Sequence, residues 1–306
     1  MVQPFGKSSG EPWVGFDLFG CVTVALGVLR NRLKRENLRV DSTRLDSYRK
    51  TFAEFDRIIS EGQIRQWADI ANFETLLNDL EESQEILEAC DQFSDLGKPG
   101  LRDRIEKMLS GQRELAREPL AKGGARNVLF ELVLAARIDR AGFAVDLDRI
   151  EDVSFRMFGR PCFVECKRIL SANKLRTRIE EAAKQIGKRC IDSRSSKARG
   201  IIALDVSKVE NPGTVLLTCS ISDKVGSEVR AHLQSFVAMH RPVLEPVQEP
   251  RVLAFYIYLR LPVAILQPIG FWIGKSAVFY LLHHSKSEDG RLTLKLKEHM
   301  RDSEDP

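Results

Sequence analysis

The sequence predicts an α/β domain preceded by an all-helical N-terminal region, and three observations carry that expectation. Residues 15–117 place apolar side chains at three- and four-residue spacing, the period of helices with one buried face. From residue 118 the pattern changes to helix, strands, helix, strand, helix, strands, an order that builds a sheet flanked by helices. At 306 residues, the chain is long enough for two such units, divided here as 1–117 and 118–306.

In the first unit the helices are expected at 44–60, 64–78 and 102–116, with Leu96-Gly97-Lys98-Pro99-Gly100 as the clearest turn. The second unit opens with a helix at 125–140, stopped by Ala141-Gly142. Two strands, 152–157 and 162–167, flank Phe158-Gly159-Arg160-Pro161 and read as a hairpin. A helix at 171–190 carries the stripe Leu175, Ile179, Ala182, Ile186 and Cys190. The aliphatic run 200–206 reads as a buried strand, followed by a helix at 223–240 and strands at 252–259 and 277–283. The polar tail from Ser285 is expected to fray.

Composition narrows the function classes. With 43% apolar and 29% charged residues the chain is neither disordered nor fibrous, and its apolar runs are too short or too interrupted for a membrane span. No charged start followed by an apolar stretch marks a secretory signal, so a cytoplasmic location is the expectation. Six cysteines without a CxxC pair point to reduced thiols and away from structural zinc.

The net charge of +4 hides an uneven distribution. Residues 1–100 hold twelve Lys/Arg against seventeen Asp/Glu, whereas residues 165–200 hold eleven against four. Such a basic stretch is either a solvated helix face or a surface for phosphates.

Four residues sit where secondary structure alone would not put them. Glu131 lies on an apolar helix stripe with Val128, Leu134 and Ala135, where a carboxylate needs a cation or a cleft. Strand alternation puts Phe163, Glu165 and Lys167 on one face and Cys162, Val164 and Cys166 on the other. Asp152 opens the paired strand, and two carboxylates brought together across a hairpin repel unless a cation intervenes. Hard oxygen ligands of this kind suit Mg²⁺ or Mn²⁺.

A helical Glu131, then Asp152, then Glu165-Cys166-Lys167 and a further helix resembles the PD-(D/E)XK nuclease superfamily, with its restriction-endonuclease-like mixed sheet flanked by helices. Glu151 stands where that pattern has proline, and Asp146 or Asp148 competes for the Asp152 role. The resemblance implies that Asp152, Glu165 and Glu131 bind a divalent metal (Mg²⁺ or Mn²⁺). It also implies that Lys167 activates or positions water and that Gln185, on the next helix, joins the catalytic set. It further implies a metal-dependent nuclease, endo- or exonucleolytic, acting on nucleic acid with DNA favoured, in phage defence, restriction or repair. The alternative is a catalytically silent module that binds nucleic acid or a protein partner. Arg168, Lys174, Arg178, Lys184, Lys188 and Arg189 are the expected phosphate contacts. The helical N-terminal region is the expected surface for a dimer or a regulatory partner.

Three other features carry less. His283-His284 reads as an edge pair, Gly270-Phe271-Trp272-Ile273-Gly274-Lys275-Ser276 lacks the setting of a phosphate loop, and Phe255-Tyr256-Ile257-Tyr258 reads as core.

Overall fold

In the computed structural model of the chain, residues 17–63, 70–111, 124–148, 152–212, 216–267 and 269–302 are described. The expected boundary at 117/118 and Glu151 lie outside them. Helices α1 (Asp17–Arg35), α2 (Arg44–Ser60), α3 (Ile70–Gln92) and α4 (Pro99–Leu109) precede α5 (Ala125–Arg140). Helix α2 has the expected bounds, and Pro99 sits in the first turn of α4, where its missing N–H costs nothing. Helix α3 runs well past the expected end at residue 78. Its second half carries Asp79, Glu81, Glu82, Ser83 and Glu85, which interrupt the apolar period in the sequence but are buried in the fold.

The sheet has seven strands among the described residues: β1 (Val145–Asp146), β2 (Val153–Met157), β3 (Arg160–Arg168), β4 (Arg199–Asp205), β5 (Leu217–Ile221), β6 (Val252–Gln267) and β7 (Ile269–Leu281). Strands β1, β2 and β3 pair antiparallel, β3, β4 and β6 parallel, and β6 and β7 as a long antiparallel ribbon. The β2–β3 turn is two residues long, with Met157 opposite Arg160 and positive φ at Phe158 (47°) and Gly159 (83°). Positive φ at both central positions is the twist a tight hairpin needs.

Strand β7 pairs with β6 along both the stretch that meets β4 and the stretch that meets β5. Both β4 and β5 therefore occupy the other edge of β6, one after the other. In the gap between them sits the single helical turn α7 (Ser207–Glu210).

Helices cover both faces. Cys162, Val164, Cys166, Ile201, Ala203, Tyr256 and Tyr258 pack into one core with α1 to α5. Phe163, Ile202, Leu204, Phe255, Ile257 and Leu259 pack on the other face against α6 (Leu175–Asp192) and α8 (Val225–Leu244). Helix α6 lies so close to β4 that a Cβ at Gly200 would meet the Ile186 side chain, which explains glycine there. The first core takes in residues from Phe19 to Met300, so the N-terminal helices and the sheet bury their apolar surface together.

The C-terminal tail corrects the expectation of fraying. Residues Glu288–Asp302 form α9, with Leu296 and Met300 buried in the first core. The apolar positions Leu292, Leu296 and Met300 recur every four residues, a stripe too thin to stand out among charged neighbours. Lys295 of α9 lies over the Phe158 ring at 4.3 Å and ties the hairpin tip to this helix. Among the described residues no helix is long and apolar enough to cross a membrane.

Candidate active site at the end of the third strand

The residues singled out by the sequence gather around the C-terminal end of β3, but on two faces of the sheet. Glu165 is fully buried and, with Lys167, points toward α6, as strand alternation requires. Its carboxylate pairs with Lys167 Nζ at 3.0 Å and with the Arg189 guanidinium. Arg189 corrects two expectations at once. It is a structural partner of Glu165 where a phosphate contact was expected, and it, not Gln185, is the α6 side chain that reaches Glu165. Gln185 is exposed, one helical turn earlier on α6.

Glu131 reaches the opposite face from α5 and is 9% exposed. The cation that its apolar setting demands is Arg104 of α4, at 2.5 Å. Glu131 is nevertheless pushed up to about 8, by burial and by the charge of Asp152, against the opposing pull of Arg104, Lys107 and Lys167. Asp152 sits just before β2, and its Oδ2 accepts the Cys166 backbone N–H at 2.7 Å. Burial likewise drives the Cys166 thiol far up, with Asp152 and Glu131 adding to it, so this cysteine is an inert core group. Glu131, Asp152 and Lys167 thus share one electrostatic neighbourhood, which Glu165 joins through Lys167. Of the two competing carboxylates, Asp148 accepts the Gly100 N–H at 3.0 Å and Asp146 accepts the Asp148 N–H at 3.1 Å.

For a divalent ion, the three expected ligands do not converge. Among the described residues no group of three or more His, Cys, Asp or Glu side chains is arranged to hold a metal. The fit is to a pair: Arg104 offsets the repulsion between Glu131 and Asp152 only in part, leaving Glu131 raised, and a further cation would relieve the rest.

The basic stretch divides in the same way. Lys174, Lys184 and Lys188 are exposed, and Arg178 pairs with Glu181 at 2.9 Å on the surface of α6. Arg168 departs from its expected role as a surface contact. Its side chain is only 6% exposed, and it pairs with Asp205 at 3.4 Å on the α3 side of the sheet. His283 Nε2 lies 2.9 Å from the Val252 carbonyl, Phe255, Tyr256 and Tyr258 are core, and Gly274-Lys275-Ser276 lies within β7.

Sequence reasoning missed a second polar centre on the same end of the sheet. It is a small open cleft bordered by Glu81, Glu82, Arg168, Asp205, Ser207, Lys208 and Arg260. Its residues come from α3, β3, β4, α7 and β6, and no local motif links them. The one available signal was an arginine, Arg260, inside an otherwise apolar strand. Comparison with protein families, with characterised proteins and with solved structures finds no match to this chain.

Proposed function

We propose that the chain is a divalent-metal-dependent hydrolase of nucleic-acid phosphodiesters, built on a restriction-endonuclease-like fold, with DNA as the favoured substrate. The observation that carries this reading is the buried Glu131–Asp152 pair beside Lys167 at the end of β3. The order of a helical Glu, a hairpin and a following helix supports it as well. A bound Mg²⁺ or Mn²⁺ would polarise a water molecule and neutralise charge developing on the phosphate. Glu131 and Asp152 would hold that ion, Asp152 while keeping its bond to the Cys166 amide. Lys167 would orient the water or the phosphate, and Glu165 would fix the ammonium from behind. Lys174, Lys184 and Lys188 would follow the sugar-phosphate backbone without reading bases. Phage defence, restriction or repair is the biological setting this chemistry suits, with the N-terminal helices as the surface for a second copy or a regulatory partner.

A second reading is a nuclease-like module without catalysis that binds nucleic acid or a protein. The specific observation in its favour is Glu165, neutralised by both Lys167 and Arg189. Cleavage of plasmid and oligonucleotide DNA with Mg²⁺ and Mn²⁺, measured alongside Mn²⁺ binding by electron paramagnetic resonance, separates the two. The enzyme reading expects Glu131→Gln to lose Mn²⁺ and Lys167→Ala to keep it, both losing cleavage by more than about a hundredfold. Salt-sensitive DNA binding with neither Mn²⁺ binding nor cleavage would establish the silent module instead.

A further inference from the structure

The cleft beneath α3 lies where β4 ends and β5 has not yet begun, beyond the carboxyl ends of parallel strands, where open α/β sheets hold ligands. Its groups divide into committed and uncommitted ones. Asp205 is committed: its carboxylate accepts the Ser207 N–H at 3.0 Å and pairs with Arg168 at 3.4 Å. Ser207 Oγ accepts the Arg260 backbone N–H at 3.0 Å. Arg260 is 8% exposed, and one end of its guanidinium pairs with Glu85. Its buried Nε–H has no hydrogen-bond acceptor and stands 3.6 Å from Glu81 Oε2, beyond hydrogen-bonding range. Lys208 Nζ gives one proton to the Pro212 carbonyl at 2.6 Å, and an ammonium has two more.

Glu81 is buried at the cleft wall, and no hydrogen bond to its carboxylate is formed among the described residues. The charged groups around it are Arg260 of β6, Asp205 of β4, Lys208 of α7, Arg168 of β3, and Glu74, Glu82 and Glu85 of its own helix, with Arg126 of α5 beyond. Burial raises Glu81 to about 7, with Glu82 and Asp205 adding to the rise and Arg260 and Lys208 opposing it. Near neutral pH the carboxyl therefore carries a proton much of the time and is itself a donor.

Each uncommitted group is then a donor: the Arg260 Nε–H, the Lys208 ammonium and the Glu81 acid. They come from three elements, β6, α7 and α3, and three donors suit an anion with at least three acceptor oxygens, which phosphate and sulfate have and a carboxylate does not. The other two carboxylates that border the space are taken up, Asp205 by Arg168 and Glu82 by Arg44 and Arg126, so the groups left over are donors and not ligands for a metal ion. We infer that this cleft binds a phosphate-class oxyanion between Arg260, Lys208 and Glu81. The inference stands apart from the metal pair at Glu131, and its test involves neither metal nor cleavage.

The probe is sulfate, which does not titrate between pH 6 and 8, added to the full chain and followed by calorimetry at constant ionic strength. Saturable binding is expected, about tenfold tighter at pH 6 than at pH 8, because Glu81 must hold its proton. Lys208→Met is expected to weaken sulfate about tenfold at both pH values. Glu81→Gln is expected to keep the pH 6 affinity and abolish the pH dependence. Circular dichroism checks that both variants fold. Equal sulfate affinity in the parent and in Lys208→Met, or a pH dependence that survives in Glu81→Gln, overturns the inference. Inorganic phosphate, followed by ³¹P nuclear magnetic resonance and challenged with a short oligonucleotide, then identifies the source. Displacement points to a nucleic-acid backbone phosphate, and its absence to a small phosphorylated molecule.

Discussion

Glu81 and Glu82 are neighbours on α3, both buried, yet they occupy opposite electrostatic states. Burial pushes Glu82 up, but Arg44 and Arg126 outweigh it and the Tyr48 hydroxyl adds to them, leaving this carboxyl below its ordinary value. Arg126 Nε lies at 2.5 Å and the Tyr48 hydroxyl at 2.5 Å, with Arg44 on the same carboxylate. Among the described residues Glu81 has no hydrogen-bonded donor, only the weaker pull of Arg260 at 3.6 Å and of Lys208, and is raised to about 7. Satisfaction by donors, and not depth of burial, separates a structural ion network from a group free to exchange a proton or meet a ligand.

Breaking the satisfied network gives the largest effect. Glu82→Ala strands Arg44 and Arg126 in the core and is expected to cost about 3–5 kcal/mol in urea unfolding. Titrating the unsatisfied partner comes next. Glu81 has a folded value of about 7, above its ordinary 4.5, so the native state holds this proton more tightly than the unfolded chain. Its contribution is whole below about pH 4.5 and is lost as pH rises through about 7, a fall of about 3 kcal/mol. Glu81→Gln is expected to flatten that part of the stability profile, measured by unfolding across pH 4 to 8.

A gentler change moves Glu82 toward the condition of its neighbour. Tyr48→Phe removes one donor while leaving both arginines, for an expected loss of about 1–2 kcal/mol by thermal unfolding. The smallest effect belongs to the exposed face of α6. Lys184→Ala with Lys188→Ala should change stability by less than about 0.5 kcal/mol, while lowering the salt slope of DNA binding by about two. An unchanged slope would remove α6 from the proposed nucleic-acid surface.

Much of the architecture was legible where period and punctuation agreed. Helices α2 and α5 have the expected bounds, and β2 and β3 differ from the expected strands by a residue or two. Alternation also placed Glu165 and Lys167 correctly opposite the cysteines. Where a segment's apolar stripe was thin or interrupted by charges, as in α9 and the second half of α3, tertiary partners completed it and local pattern failed. The short strand β5 was missed for a related reason: its burial is mostly partial, and its pairing comes from β6, far along the chain. The candidate site was legible as letters but not as faces. Nothing near Glu165 in sequence announces Arg189, and nothing near Asp152 shows that its carboxylate turns to a backbone amide shared with the Glu131 side.

The edge of β6 that β4 and β5 share has its own mechanical consequence. Between Tyr258, the last partner of β4, and Val263, the first of β5, the ladder is interrupted on that side. The Arg260 amide there is held by a hydroxyl, Ser207 Oγ, in place of a neighbouring strand. The β6–β7 ribbon alone runs unbroken past the gap and splints two half-ladders together. Its middle rungs alone carry the sheet across the point where the polar cleft opens.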